Sequence, residues 1–302
     1  MQTRVCSLCC VSSACSSQPA SSCCVASAFR TPLGCLLDIR TGDMESDSET
    51  HSTCDNNFDA RKYLEVYYGV DPKTQQVDVE SKFVLGFLHD VFVSGHVAGD
   101  SLIEIGAGPV IYHIVSASER FNTIYLTDYC EESLHEIDKC LQGKKDAFDW
   151  TPYFKYVCKL EGNRSTPKDK METMKRNIKL MKCDVTLANP LQPNTVPQAD
   201  CVIVAGCLIC ACKTPDDFQN ALNNIASLVK PGGYLIIVDY LGASYYLIGQ
   251  TKLNVLSLDE NIVKQTVTAA GFSIEEFKVG NNFGIPHEIF NCKEVFCLLA
   301  KK

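Results

Sequence analysis

The sequence predicts a doubly wound α/β fold, a mostly parallel sheet covered by helices on both faces, preceded by a helical lid. Three observations carry this. Ser101-Leu102-Ile103-Glu104-Ile105 is a short apolar strand that opens into Gly106-Ala107-Gly108. A second strand, Thr123 to Thr127, follows and closes on Asp128. From there strands and helices alternate until a closing β pair, the pattern of an open sheet with an antiparallel edge.

The elements follow in order. Residues 1–43 are rich in Ser, Cys and Ala, and hold seven of the eighteen cysteines. They show no period of 2 or 3.6 and read as a dispensable leader, with Met44 as an alternative start. The acidic, Ser-rich stretch 44–57 reads as a flexible lead-in, and the domain is expected over 58–302. Asp59 to Tyr68 reads as a helix with Tyr63, Tyr67 and Tyr68 grouped together. Val79 to Val97 reads as a second helix, its apolar residues largely on one face. Strand 101–105 is followed by an expected helix over 109–119, with Pro109 in its first turn.

Strand 123–127 leads to helix 131–142, whose first turn carries Glu131 and Glu132. Residues 149–180 read as a polar, helical insertion around Glu161-Gly162-Asn163-Arg164. Strands near 178–183 and 200–205 follow. Thr214-Pro215-Asp216-Asp217 opens a helix that runs to Val229 and stops at Lys230-Pro231-Gly232-Gly233. A strand, Tyr234 to Val238, ends at Asp239. Residues 245–258 look strand-like, 259–270 helical and stopped by Gly271, and two strands near 272–279 and 294–300 complete the chain.

Composition sets bounds. The formal net charge of -8 argues against a nucleic-acid surface, which needs a basic field. No apolar run approaches the ~20 residues that span a bilayer, so no membrane partner is expected. The cysteines form no disulfide framework, and a reduced, cytosolic monomer is the expectation.

In an open α/β sheet, ligands bind beyond the carboxyl ends of the strands where strand order reverses. Those ends carry Glu104-Ile105-Gly106, Asp128, Asp184-Val185, Ala205-Gly206 and Asp239. The third position of a dinucleotide glycine pattern falls on Ile111, which turns the reading from a pyrophosphate to a single nucleoside. Gly106 and Gly108 let a ligand approach the backbone, and a helix beginning there would direct its N-terminal NH groups at it. Asp128 can accept two ribose hydroxyls. Asp184 can accept from an adenine amine, with Val185 against the ring. An acidic row beside tyrosines suits a sulfonium cation with a ribose diol, which points to S-adenosyl-L-methionine. A core-facing aromatic stripe is the plainer account of Tyr63, Tyr67 and Tyr68.

At this point the sequence resembles the nicotinamide, phenylethanolamine and indolethylamine (thioether) methyltransferases, the nicotinamide branch in particular. The resemblance runs from about Phe58 to the end of the chain. It rests on Tyr63-Leu64-x-x-Tyr67-Tyr68, Ile105-Gly106-Ala107-Gly108-Pro109-x-Ile111-Tyr112, Thr127-Asp128-Tyr129 and Phe148-Asp149-Trp150-Thr151-Pro152. It continues through Leu160-Glu161-Gly162-Asn163-Arg164, Lys182-Cys183-Asp184-Val185, Leu228-Val229-Lys230-Pro231-Gly232-Gly233 and Ser244-Tyr245-Tyr246-x-Ile248-Gly249.

The resemblance implies a seven-stranded class I, Rossmann-like S-adenosylmethionine-dependent methyltransferase with an N-terminal helical lid. It places cofactor contacts on Tyr63, Tyr68, Gly106, Ala107, Tyr112, Asp128, Ser133, Asp184, Val185 and Ala205. It places the acceptor on Tyr63, Asp239, Ala243, Tyr246 and Val255, with Asp239 and Tyr63 catalytic. Ser133 stands where the nicotinamide enzymes have asparagine, and Ala205 where they have threonine. Ala243 and Val255 replace serines, and Ile209 replaces an acid. The implied reaction is N-methylation of a small amine or pyridine-type nitrogen.

Two rivals follow from the same residues. The losses at Ile209, Ala243 and Val255 suit a fold that binds cofactor without turnover. Cys207-x-x-Cys210-x-Cys212 suggests a metal, but no second ligand pair or histidines follow at zinc spacing, and buried thiols are the reading adopted. His113 and His287 read as surface or helix-end histidines.

Overall fold

The computed structural model describes residues 58–93, 96–281 and 286–302. The expected leader and lead-in, 1–57, lie outside the described residues. Five strands run parallel: β1 (Gly99–Ile105), β2 (Phe121–Asp128), β3 (Ile178–Lys182), β4 (Ala199–Ala205) and β5 (Val229–Leu241). A hairpin follows, β6 (Tyr245–Ile248) and β7 (Thr251–Asn254), then β8 (Ser273–Asn281) and β9 (Glu294–Lys301). The main sheet has the order β3-β2-β1-β4-β5-β9-β8. β9 lies between β5 and β8 and runs against both. The antiparallel strand is therefore one place in from the edge, and the edge strand β8 points the same way as the first five.

Side-chain alternation divides the core between two helix layers. On β5, Ile236 and Val238 join the core that includes the helix α2 (Val79–Val93), while Leu235 and Ile237 face the other. The central strands carry apolar residues at both parities because both faces are covered. The α2 layer also contains α1 (Ala60–Tyr67), α3 (Glu131–Leu141), α4 (Thr151–Leu160) and α5 (Pro167–Asn177). The opposite layer contains α6 (Leu208–Ala211), α7 (Pro215–Ala226) and α8 (Glu260–Ala269).

Local signals set the helix starts. Asp59 Oδ1 accepts from the Lys62 amide at 2.8 Å and starts α1. Thr214 and Asp217 form a reciprocal capping box that starts α7, and Thr166 with Asp169 does the same for α5. In the 149–180 insertion, α4 and α5 are joined through Glu161 to Arg164. Lys170 of α5 is fully buried there, with Glu161 at 2.6 Å and Glu119 at 3.0 Å.

Three expectations are corrected. The helix over 109–119 is instead two short 3-10 turns, Tyr112–Ile114 and Ala117–Glu119. Residues 109–118 are buried throughout, so they lack the polar face that a surface helix needs. The Gly108 amide also turns sideways to Asp128 rather than opening a helix, so no helical N-terminus faces the ligand region from this turn. β5 begins at Val229 and runs through the expected stop, with a register shift against β4 between Ala199 and Cys201. The strand-like 245–258 is a two-stranded hairpin turned at Gly249, whose φ of 61° suits glycine at the first turn position.

Candidate active site

Strand order reverses between β1 and β4, and the tips of the strands are laced together there. Gly106 has φ 65°, and a Cβ on it would overlap Cys207 Sγ. The Ala107 amide donates to Thr127 O at 2.9 Å, and the Cys183 amide donates to Asp128 O at 3.0 Å. The Cys183 thiol lies against the Thr127 hydroxyl and the Gly106 amide. Through these links Gly106, Asp128 and the Cys183-Asp184-Val185 turn share one neighbourhood.

Asp128 is the centre of that neighbourhood. Its Oδ2 accepts from the Gly108 amide at 2.7 Å and its Oδ1 from the Cys130 amide at 2.8 Å. The buried Ser133 hydroxyl adds a third hydrogen bond. Burial nevertheless outweighs these and pushes the carboxyl up to about 6. Asp184 Oδ1 accepts from the Thr186 amide at 2.9 Å and hydroxyl at 2.6 Å, which holds the turn after β3. Val185 is buried, and its carbonyl accepts from Asn224 Nδ2 at 3.0 Å. Ala205, also buried, ends β4.

The tyrosines of α1 form a connected aromatic wall. Tyr63 lies 5.0 Å from Tyr67 and 5.8 Å from Tyr68, centroid to centroid, and its hydroxyl is hydrogen-bonded to that of Tyr68. Tyr68 meets Tyr112 at 5.5 Å and Trp150 at 5.7 Å, and Tyr112 stacks on Trp150. Burial raises the phenols of Tyr63, Tyr68 and Tyr112 above their ordinary range, so they stay neutral donors. The hairpin closes the other side: Tyr67 Oη donates to Leu247 O at 2.7 Å, and Tyr246 meets Tyr67 edge-on at 6.3 Å.

Asp239 stands at the tip of β5 with 1% exposure. Its oxygens accept from the Tyr240 amide at 3.0 Å and the Ile209 amide at 3.4 Å. Burial pushes its carboxyl up to about 7 against those hydrogen bonds. The three-cysteine cluster lies on and around α6. Tyr246 donates to the Cys210 thiol, which feels the charge of Asp239, so Tyr246 and Asp239 border one region. Ala243 is fully buried in the α6 layer, and the Val255 amide donates to Ser244 O at 3.0 Å. Among the described residues no group of three or more His, Cys, Asp or Glu is placed to hold a metal ion.

Sequence reasoning missed part of this region. Glu80 of α2 accepts from Tyr240 Oη at 2.6 Å. In sequence Glu80 reads only as a first-turn acid, and Tyr240 as a strand residue beside Asp239. His113, expected near the surface, is buried with Nδ1 2.7 Å from Glu104 Oε1 beneath the glycine turn.

Carboxylates at the tips of β2 and β5 and after β3, beside a wall of neutral phenols, match a cationic nucleoside with a free diol. On this strand order, they define a class I S-adenosylmethionine-dependent methyltransferase. The chain belongs to the NNMT/PNMT/TEMT family, which it matches over residues 47–302. It is 40% identical to nicotinamide N-methyltransferase of Homo sapiens over 260 residues, 86% of this chain and 98% of that protein. It is 40% identical to indolethylamine N-methyltransferase of Oryctolagus cuniculus, over 73% of this chain and 84% of that protein. With phenylethanolamine N-methyltransferase of Homo sapiens it shares 32% identity, over 63% and 69%. Among solved structures, magnesium protoporphyrin IX methyltransferase (ChlM) from Synechocystis PCC 6803 with bound SAM aligns with a TM-score of 0.49 at 14% identity, covering 80% of this chain and 90% of that one. The protein is an S-adenosylmethionine-dependent N-methyltransferase.

Proposed function

We propose that the acceptor is a small amine or heteroaromatic nitrogen, bound over the tip of β5 in a pocket with fewer polar groups than one built to grip a carboxamide. One observation carries this reading: Asp239 is a buried carboxylate at that tip, while Ile209, Ala243 and Val255 offer no side-chain polar group to assist it. A pocket short of hydrogen-bonding partners discriminates poorly in favour of a carboxamide.

Bound S-adenosylmethionine supplies an electrophilic methyl group. The chain's own residues do the rest. Asp128, with Ser133 behind it, accepts the ribose hydroxyls. Asp184 and Val185 take the adenine, and Ala205 with Gly106 and Ala107 forms the floor. Tyr63, Tyr68 and Tyr112 exclude water and face a cation with their rings. Tyr63, Tyr246 and Asp239 orient the acceptor nitrogen, since aiming the reactants carries much of the rate gain in a displacement. A pyridine lone pair is already free, whereas an ammonium must first lose a proton. Among the described residues no helix is long and apolar enough to cross a membrane. Eight of the ten described cysteines are buried free thiols, which supports a reduced, cytosolic protein.

A labelled-methyl assay against a panel of arylalkylamines and pyridines tests the reading. Asp239→Ala is expected to leave cofactor affinity within about twofold, by calorimetry, and to lower kcat/KM by about a hundredfold or more. Unchanged turnover in that variant would remove Asp239 from the acceptor site.

A further inference from the structure

Behind the aromatic wall lies a cavity that no step of the methyl transfer uses. It has a volume of about 630 Å³ and opens between the end of α3 and the starts of α4 and α5. Sites for small organic molecules run from about 300 to 1,000 Å³. Its apolar lining includes Phe148, Trp150 and Met171. Phe148 and Met171 are half-buried, so each keeps apolar surface open to a ligand. Lys144 and Lys168 also line it, and both are exposed. The acids nearby are already engaged. Glu172 holds Lys175 at 3.2 Å, Asp149 Oδ1 accepts from the Thr151 amide at 3.0 Å, and Asp169 Oδ2 accepts from the Thr166 hydroxyl at 2.7 Å. Lys144 and Lys168 form no ion pair among the described residues. Thr151 and Pro167 bring the positive ends of α4 and α5 to the same opening. In a chain of formal net charge -8, this is a local cationic rim over an apolar floor.

We infer that this cavity is a second binding site, for an arylalkyl carboxylate, and that its occupancy is coupled to the cofactor site. The carboxylate meets Lys144 and Lys168, and the aryl group covers Phe148 and Met171. The coupling runs through Trp150. Its ring lies 4.8 Å from that of Phe148, 5.7 Å from Tyr68 and 5.9 Å from Tyr112, centroid to centroid. Trp150 is buried between the cavity and these tyrosines, so a body packed on the cavity side restricts the wall on the other. The lid helix is tied to the same loop: Arg61 of α1 lies over the Phe148 ring at 5.7 Å and donates to Asp146 O at 2.7 Å. A ligand that orders this wall leaves less freedom for the cofactor to remove, so each binds more tightly with the other present, by the same factor. The coupling rests on the reading of Tyr68 and Tyr112 as cofactor contacts; the cavity itself does not.

Trp150 is the only tryptophan in the sequence, so its fluorescence reports on the cavity directly. The full chain is titrated with 4-phenylbutanoate, with and without saturating S-adenosylhomocysteine, and with uncharged 4-phenylbutanamide as the control. A saturable change in emission is expected in both states, with the carboxylate bound about fivefold more tightly to the loaded protein. The amide should bind about tenfold more weakly or worse. Lys144→Glu and Lys168→Glu put like charge on the rim, and each should weaken the carboxylate about tenfold while S-adenosylhomocysteine affinity, read by calorimetry, stays within about twofold. Complete displacement of 4-phenylbutanoate by S-adenosylhomocysteine would put it in the cofactor site and overturn the inference. Absence of saturation, equal affinity for the amide, or undiminished affinity in both lysine variants would overturn it as well. Equal carboxylate affinity in the two states would remove the coupling. Trp150 emission that S-adenosylhomocysteine alone leaves unchanged would withdraw the reading of the wall as a cofactor surface, and the lysine variants would still decide the cavity.

Discussion

At the residue scale, the site depends on groups that tolerate little change. Gly106 is the clearest. A side chain there must adopt a left-handed backbone, costing about 1–2 kcal/mol, and must also displace Cys207. Gly106→Ala is expected to lower both the melting temperature and cofactor affinity, read by scanning fluorimetry and calorimetry. Asp128 should be more selective. Asp128→Ala is expected to abolish measurable cofactor binding while the protein keeps its circular dichroism spectrum. Equal affinity in the two proteins would withdraw the ribose assignment. The residues that carry these expectations were legible because each sits at a strand tip next to glycine or a turn. Glu80 and Tyr240 were not legible, because no local pattern marks a contact between residues 160 positions apart.

At the element scale, stability rests on devices that sequence shows unevenly. Thr214 followed by Asp217 announced α7, and Thr214→Ala should cost about 1 kcal/mol in urea unfolding. The α4–α5 insertion depends on a charge that sequence gives no reason to bury. Lys170→Met would leave Glu161 buried without its cation, at a cost of about 3–5 kcal/mol, measured the same way. The failed helix over 109–119 has a matching cause. Pro109 suits a helical first turn, but the space beneath the glycine turn buries every side, and Glu104 recruits His113 inward. Strand existence was readable from apolar runs bounded by carboxylates. The position of β9 inside the sheet was not, because strand order is set by long-range pairing.

At the scale of the whole molecule, three buried carboxyls give stability a definite pH dependence. Asp128, Asp239 and Glu80 have folded-state values of about 6, about 7 and about 7, all raised by burial. Such a group binds more protons folded than unfolded, so stability falls as pH rises from about 4 to about 7. The cofactor-free protein is expected to melt at a higher temperature at pH 5 than at pH 7.5. Asp239→Asn should flatten that difference. A wild-type melting temperature that rises over this interval would contradict the burial of these groups. The carboxyls whose values are lowered, Asp71, Glu132, Asp169, Asp200 and Asp217, titrate at or below the lower end of this window and do not reverse the sign.

The alternation along β5 has a further consequence. Asp239 and Tyr240 are opposite Phe296 and Val295 of β9, and successive side chains leave the strand on opposite sides. Chemistry at this tip is thus a matter of odd and even. Inserting a single amino acid between Leu235 and Asp239 would swap which compartment receives the acid and which the phenol, erasing function while the ladder of hydrogen bonds could re-form around it.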